Sequence, residues 1–167
     1  NMVFILALCL LSQIVVALQP LPPIASANDS SNNGLGFSVS KHGTKIYIEH
    51  AFAEKKDFEG LTLIPPNAGE FAETFRADLS TLLGTQWTLE RVDQLPSTGV
   101  VLGPFRGNAD HLTYENGIAT EEGYELDVTN GSVYIGGTGA RGMYWGTRTV
   151  LQELLINNGS LPYGSIG

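Results

Sequence analysis

Residues 121–156 read EEGYELDVTNGSVYIGGTGARGMYWGTRTVLQELLI, and the periodicity of this stretch decides the fold. Over 123–128 the residues alternate. Tyr124, Leu126 and Val128 fall on one face and Glu125 and Asp127 on the other, the pattern of a half-buried strand. Asn130-Gly131 marks a two-residue hairpin turn, because both residue types tolerate positive φ. Val133 and Ile135 return along the same apolar face. Gly136, Gly137 and Gly139 then turn the chain into a helix predicted over 140–155. Its apolar stripe is Ala140, Met143, Tyr144, Val150, Leu151, Leu154 and Leu155. A hairpin with an amphipathic helix laid over it makes a core.

Gly137-Thr138-Gly139-Ala140-Arg141-Gly142 fits G-x-G-x-x-G, the spacing with which a strand-to-helix turn cradles a pyrophosphate. The context argues against that use. The preceding strand is tied into a hairpin, so an antiparallel surrounding is expected. No second parallel strand carrying a ribose-binding acid follows before Gly167. The glycines are read instead as turning the corner and letting the helix lie close to the sheet.

Working outward, 44–49 alternates Ile46 and Ile48 against Lys45, Tyr47 and Glu49 and reads as a strand. A second strand is expected at 60–64 (GLTLI), stopped by Pro65-Pro66. Asn67 with Glu70 three residues on forms a capping box for a helix over 68–83, with Phe71, Phe75, Leu79, Leu82 and Leu83 on its apolar side. Strands follow at 86–92, with Trp87 and Leu89, and at 99–102, whose GVVL is apolar on both faces and so central. Residues 104–120 read as a surface loop. The order predicts an α/β (α+β) fold: a mixed, largely antiparallel sheet with two helices packed on one face.

Residues 2–18 are apolar but for Ser12 and Gln13, and Pro-rich polar sequence follows at once. This reads as a signal peptide over 1–17, cleaved after Ala17 or after Ala27, with a retained anchor as the alternative. The run lacks a basic n-region and starts at Asn1, which reads as an incomplete N-terminus. Residues 18–40 read as a linker, 41–157 as the domain and 158–167 as a connection onward. The expected location is secreted. Net charge is −8, which argues against nucleic acid or an anionic membrane as partner. The one cysteine, Cys9, lies in the leader, so no thiol chemistry is expected in the mature chain.

No catalytic set emerges. His42, His50 and His111 are scattered, with neither His-Glu-x-x-His nor Gly-x-Ser-x-Gly. Glu121 and Glu122 are adjacent, so on a strand they would point to opposite faces. Asp110-His111 has the residue types of a dyad, but polar residues in a loop are more often solvated, and that is the reading taken. No catalytic, cofactor or metal residue is assigned. Asn28, Asn130 and Asn158 head Asn-x-Ser sequons and are glycosylation candidates, Asn130 the tightest of them.

The residues Glu122, Gly123, Tyr124, Leu126 and Val128, then Arg141, Gly142, Gly146, Thr149, Gln152 and Leu154, together resemble the non-catalytic N-terminal domain of glycoside hydrolase family 20, the β-N-acetylhexosaminidases. Gly159-Ser160-Leu161-Pro162 is similar to the segment leading into that family's barrel. The resemblance implies a parent that hydrolyses terminal N-acetylhexosamine from glycans or chitin fragments. The sugar's own acetamido oxygen would act as nucleophile, and an Asp-Glu pair in the barrel would do the rest. It also implies that the two helices lie between sheet and barrel. Gly142, Gly146 and Thr149, flanked by Trp145, form a small-residue stripe and are the barrel-contact candidates, with contact to the helix over 68–83 as the alternative reading of the stripe. The alternatives are a stand-alone secreted carbohydrate-binding or interaction module, and the same domain before another glycosidase barrel.

Overall fold

The computed structural model describes residues 34–57, 64–114 and 117–166. In chain order the elements are β1 (Leu35–Ser38), α1 (Val39–His42), β2 (Lys45–Glu49), α2 (His50–Ala53), α3 (Ala68–Leu82), β3 (Thr88–Val92), β4 (Gly99–Pro104), β5 (Tyr124–Thr129), β6 (Ser132–Gly137), α4 (Ala140–Ile156), β7 (Ser160–Pro162) and β8 (Gly164–Ile166). Residues 60–63 of the expected second strand lie outside the described residues, and Ile64 is an exposed bend.

The hairpin forms in the expected register, Leu126 opposite Ile135 and Val128 opposite Val133. Its turn takes positive φ at Gly131 (83°), while Asn130 stays on the ordinary side. The main sheet has the order β3-β2-β4-β6-β5-β8. β2 runs parallel to β3 and β4, and β4 parallel to β6. β5 runs antiparallel to β6 and β8. The sheet is thus mixed, with its antiparallel pairs gathered at the β5–β8 side. The antiparallel surrounding expected for β6 holds on one side only.

β4 is central, as its two-faced apolarity requires. Alternation sends Ile46, Ile48, Val100, Leu102, Leu126, Val128, Val133 and Ile135 to one face, where all are buried in one core under α3 and α4. The opposite face carries Tyr47, Val101, Tyr134 and Asp127 in register.

α3 begins at the predicted box: Asn67 Oδ1 accepts from Glu70 N, and Glu70 Oε2 accepts from Asn67 N, each at 2.8 Å. Its buried face is Ala68, Gly69, Ala72, Phe75 and Leu79. Leu82, expected inside, is 54% exposed. The helix leans on small residues because it is wedged beside α4.

The packed unit is wider than 41–157. β1 falls in the stretch read as linker, and β7 and β8 fall in the stretch read as connection. β1 pairs with β7 in a two-stranded antiparallel sheet that seals the core with Phe37 and Leu161, both fully buried. β8 hydrogen-bonds to β5 as the edge strand. Such short strands carry no periodicity, so composition read the first as linker and the family resemblance read the last two as connection.

Candidate functional site

The glycine-rich corner sits at the C-terminal edge of the parallel strands, where a nucleotide phosphate would sit in a doubly wound fold. Here the position is filled by the protein. Asp57, buried and following α2, aims its carboxylate at the start of α4. Oδ1 accepts from Ala140 N at 2.8 Å, and Oδ2 accepts from Arg141 N at 2.7 Å and Arg141 Nε at 3.3 Å. The helix begins at Gly139, which has no side chain to cap it, so Asp57 supplies the missing acceptor and the negative charge that the helix dipole favours. Each fingerprint glycine also faces internal atoms. A Cβ on Gly137 would overlap Met143 N, one on Gly139 would meet Asp57 Oδ1 at 2.5 Å, and one on Gly142 would overlap the Gly123 carbonyl oxygen. The bare backbone serves close packing, and no phosphate cradle remains.

Arg141 gathers three carboxylates: Asp57 at 3.3 Å, Glu121 at 3.1 Å and Glu122 at 3.3 Å. Burial pulls the guanidinium pKa down. The hydrogen bond to Glu121 and the electrostatic influence of Tyr114, Asp57 and Glu122 together outweigh it, so Arg141 ends above its ordinary value. Glu121 and Glu122 precede β5 in a bend instead of lying on a strand, and both therefore reach the same arginine. Held this way, they serve as ion-pair partners. Asp110 and His111 are both exposed in the loop after β4, with Asp110 N donating to Asn108 Oδ1.

The small-residue stripe faces inward. A Cβ on Gly146 would meet Ile135 Cγ2 at 2.5 Å and the Tyr124 ring at 3.1 Å. Thr149 is buried, with its Oγ1 2.9 Å from Tyr124 Oη. Gly142 is therefore occupied by the bend before β5, and Gly146 and Thr149 by β5 and β6, so the three expected barrel contacts are turned inward. The three positions lie one above another over two turns of α4, and that row faces the sheet because α4 is buried round most of its circumference between the sheet and α3. Trp145 alone of the four points outward, 48% exposed. Its ring lies 5.2 Å from Tyr144, which in turn lies 4.8 Å from Phe71 of α3. Arg148 stands 4.8 Å over Tyr144 and pairs with Asp78. An aromatic ridge thus joins the outer surfaces of both helices.

The open sheet face offers no such ridge. Tyr134 is 5% exposed: the Arg106 guanidinium stacks 3.5 Å above its ring, and its hydroxyl donates to Pro104 O. Burial pushes the Tyr134 phenol up to about 12. Trp87 is buried as well. Of the glycosylation candidates, Asn130 and Asn158 are exposed, Asn158 in the left-handed conformation (φ 50°) after α4, while Asn28 lies outside the described residues. Among the described residues no helix is long and apolar enough to cross a membrane.

The model of glycosyl hydrolase family 20, domain 2, matches residues 59–167. The chain belongs to glycoside hydrolase family 20. Among solved structures, the family 20 β-N-acetylhexosaminidase of Streptomyces coelicolor A3(2) is similar over 81% of the chain at 19% identity, with a TM-score of 0.46. The chain spans 24% of that enzyme's length. No curated protein matches it.

The family 20 motif now has a physical meaning. Its first half lies on β5 and the bend before it and its second on α4, and the two halves pack on each other. Gly142 sits on Gly123, Gly146 lies under Tyr124, and Thr149 hydrogen-bonds to Tyr124. Arg141 ties Glu122 and its neighbour to the helix start. The motif specifies an interface inside the domain. Sequence reasoning missed Asp57, the residue that completes it. It lies 83 positions before Ala140, and nothing local distinguishes it from any surface aspartate.

Proposed function

We propose that the chain is the non-catalytic domain of a secreted β-N-acetylhexosaminidase and packs its helical face against the catalytic barrel of the same polypeptide. The parent enzyme removes terminal N-acetylhexosamine residues from glycans or chitin fragments, with the acid and the acetamido-orienting carboxylate both in the barrel. Family membership supports the reading. The observation that carries it is the ridge of Phe71, Tyr144 and half-exposed Trp145, an aromatic patch of the kind that interfaces use as anchors. The covered Tyr134 and buried Trp87 tell against a flat sugar-binding platform on the sheet. The leader-like run at 2–18 supports secretion.

The test is Trp145→Ala, made in the isolated chain and in the parent. In the isolated chain the loss is one exposed edge-to-face pair, about 1 kcal/mol. In the parent a docking anchor is lost, so melting temperature and hydrolysis of an aryl N-acetylhexosaminide both fall. If the parent is unaffected, or if both forms fall equally, the helical face is not the interface. A parent that cleaves another glycoside and leaves this one intact places the domain before a different barrel.

A further inference from the structure

A cleft of about 710 Å³ opens at the C-terminal edge of β4 and β6, away from the outer helix face. Half-buried Phe105, backed by the edge of the core at Phe52, gives it an apolar wall, and Lys55, Thr120, Glu121 and Thr138 line its polar side. Charge narrows what it can hold. Asp57 already caps the start of α4, the three carboxylates Asp57, Glu121 and Glu122 outnumber the cations Arg141 and Lys55 there, and the net charge is −8, so the site does not favour an anion. Among the described residues no group of three His, Cys, Asp or Glu comes together for a metal ion. A wholly apolar ligand would leave the two threonine hydroxyls and the Lys55 ammonium facing it without hydrogen bonds to the ligand.

A neutral ring with an apolar face and a hydroxyl rim suits every wall. The two threonines are set in complementary states. Thr120 Oγ1 accepts from Glu122 N at 3.0 Å, so its O–H is left to donate. Thr138 Oγ1 donates to Gly123 O at 3.1 Å, so its lone pairs are left to accept. A sugar hydroxyl does both at once, and an aromatic ring takes the C–H face of a pyranose. We propose that this cleft binds a neutral pyranose unit of an oligosaccharide, distinct from the residue the parent hydrolyses. The inference rests on the proposed function only for the source of the saccharide.

The experiment is an NMR titration of the ¹⁵N-labelled chain with N-acetylglucosamine and chitotriose, with ATP as the anionic comparison. Saturable shifts are expected at the amides of Phe105, Thr120, Glu121 and Thr138 with the sugars and not with ATP. Phe105→Ala removes a stacking face and weakens binding about tenfold. Thr120→Val, which keeps the shape and deletes the donor, weakens it about fivefold. Thermal melts confirm that both variants are folded. The proposal is overturned if neither sugar gives saturable shifts, if ATP competes, or if the shifts map to the Arg106–Tyr134 face. If the parent hydrolyses its substrate but the chain binds no sugar, the cleft proposal alone falls. If the chain binds sugar but the parent is inactive on N-acetylhexosaminides, the proposed function falls and the cleft stands.

Discussion

Asp57→Ala should be the most damaging conservative truncation outside the hydrophobic core. The Asp57 side chain is 3% exposed and accepts from two backbone donors of the first turn of α4 as well as from Arg141 Nε. Loss of a cap acceptor costs about 1 kcal/mol, and loss of a partly buried anion at a helix start costs up to about another 1–2 kcal/mol. Ala140 is fully buried, so its N–H finds no water and carries a further desolvation cost of about 1 kcal/mol or more. Arg141 is 28% exposed and retains Glu121 and Glu122, so it adds little. The sum is roughly 3–4 kcal/mol, a large share of the ~5–15 kcal/mol that holds a domain of this size. Asp57→Asn keeps one carbonyl acceptor and loses the charge, so it should cost about half as much. Asp110→Ala, on the exposed loop, should cost less than about 0.5 kcal/mol. Urea melts of the three variants at unchanged m-value measure this directly. If Asp57→Ala matches Asp110→Ala, or Asn is as harmful as Ala, the capping account is wrong.

Three further outcomes follow from the same packing. Gly142→Ala should destabilise by about 2 kcal/mol despite the ~1 kcal/mol gained in helix propensity, because the added methyl meets a backbone carbonyl that already accepts from Thr138 N. Gly146→Ala should cost less, since Ile135 Cγ2 can move; the opposite order in denaturant melts would mean that α4 is seated differently. Leu126→Asp should unfold the chain, while Asp127→Lys on the open face shifts stability by about 0.5 kcal/mol, and circular dichroism melts showing the reverse would break the strand register. Burial raises the Glu153 carboxyl above its ordinary value, with the Asn157 amide bond opposing. The native state then holds that proton more tightly than the unfolded chain, so this group's contribution to stability falls as pH rises through the window above 4.5 and stays low at neutrality. Glu153→Gln should therefore melt higher than the native chain at pH ~7 and no higher at pH ~4; parallel curves at both would remove Glu153 from the pH response.

The sequence by itself determined the elements whose side chains repeat with a period. The β5–β6 hairpin, the capping box at Asn67, the central position of β4 and the long final helix were legible because each pattern lies within a few residues of chain. The family 20 motif was legible because each of its halves is a local pattern, although β6 separates them in the chain. Tertiary structure alone decided which way the helix faces. Gly142, Gly146 and Thr149 look like a free stripe on a helical wheel, because a wheel assigns faces by hydrophobicity and glycine has no side chain to classify. In the fold those positions are where the backbone of α4 comes nearest to β5 and β6, and that leaves Trp145 outside. The short strands β1, β7 and β8 and the long-range cap from Asp57 were illegible for a related reason. Their stability comes from partners far along the chain, and no local pattern records a contact made only after the core has closed.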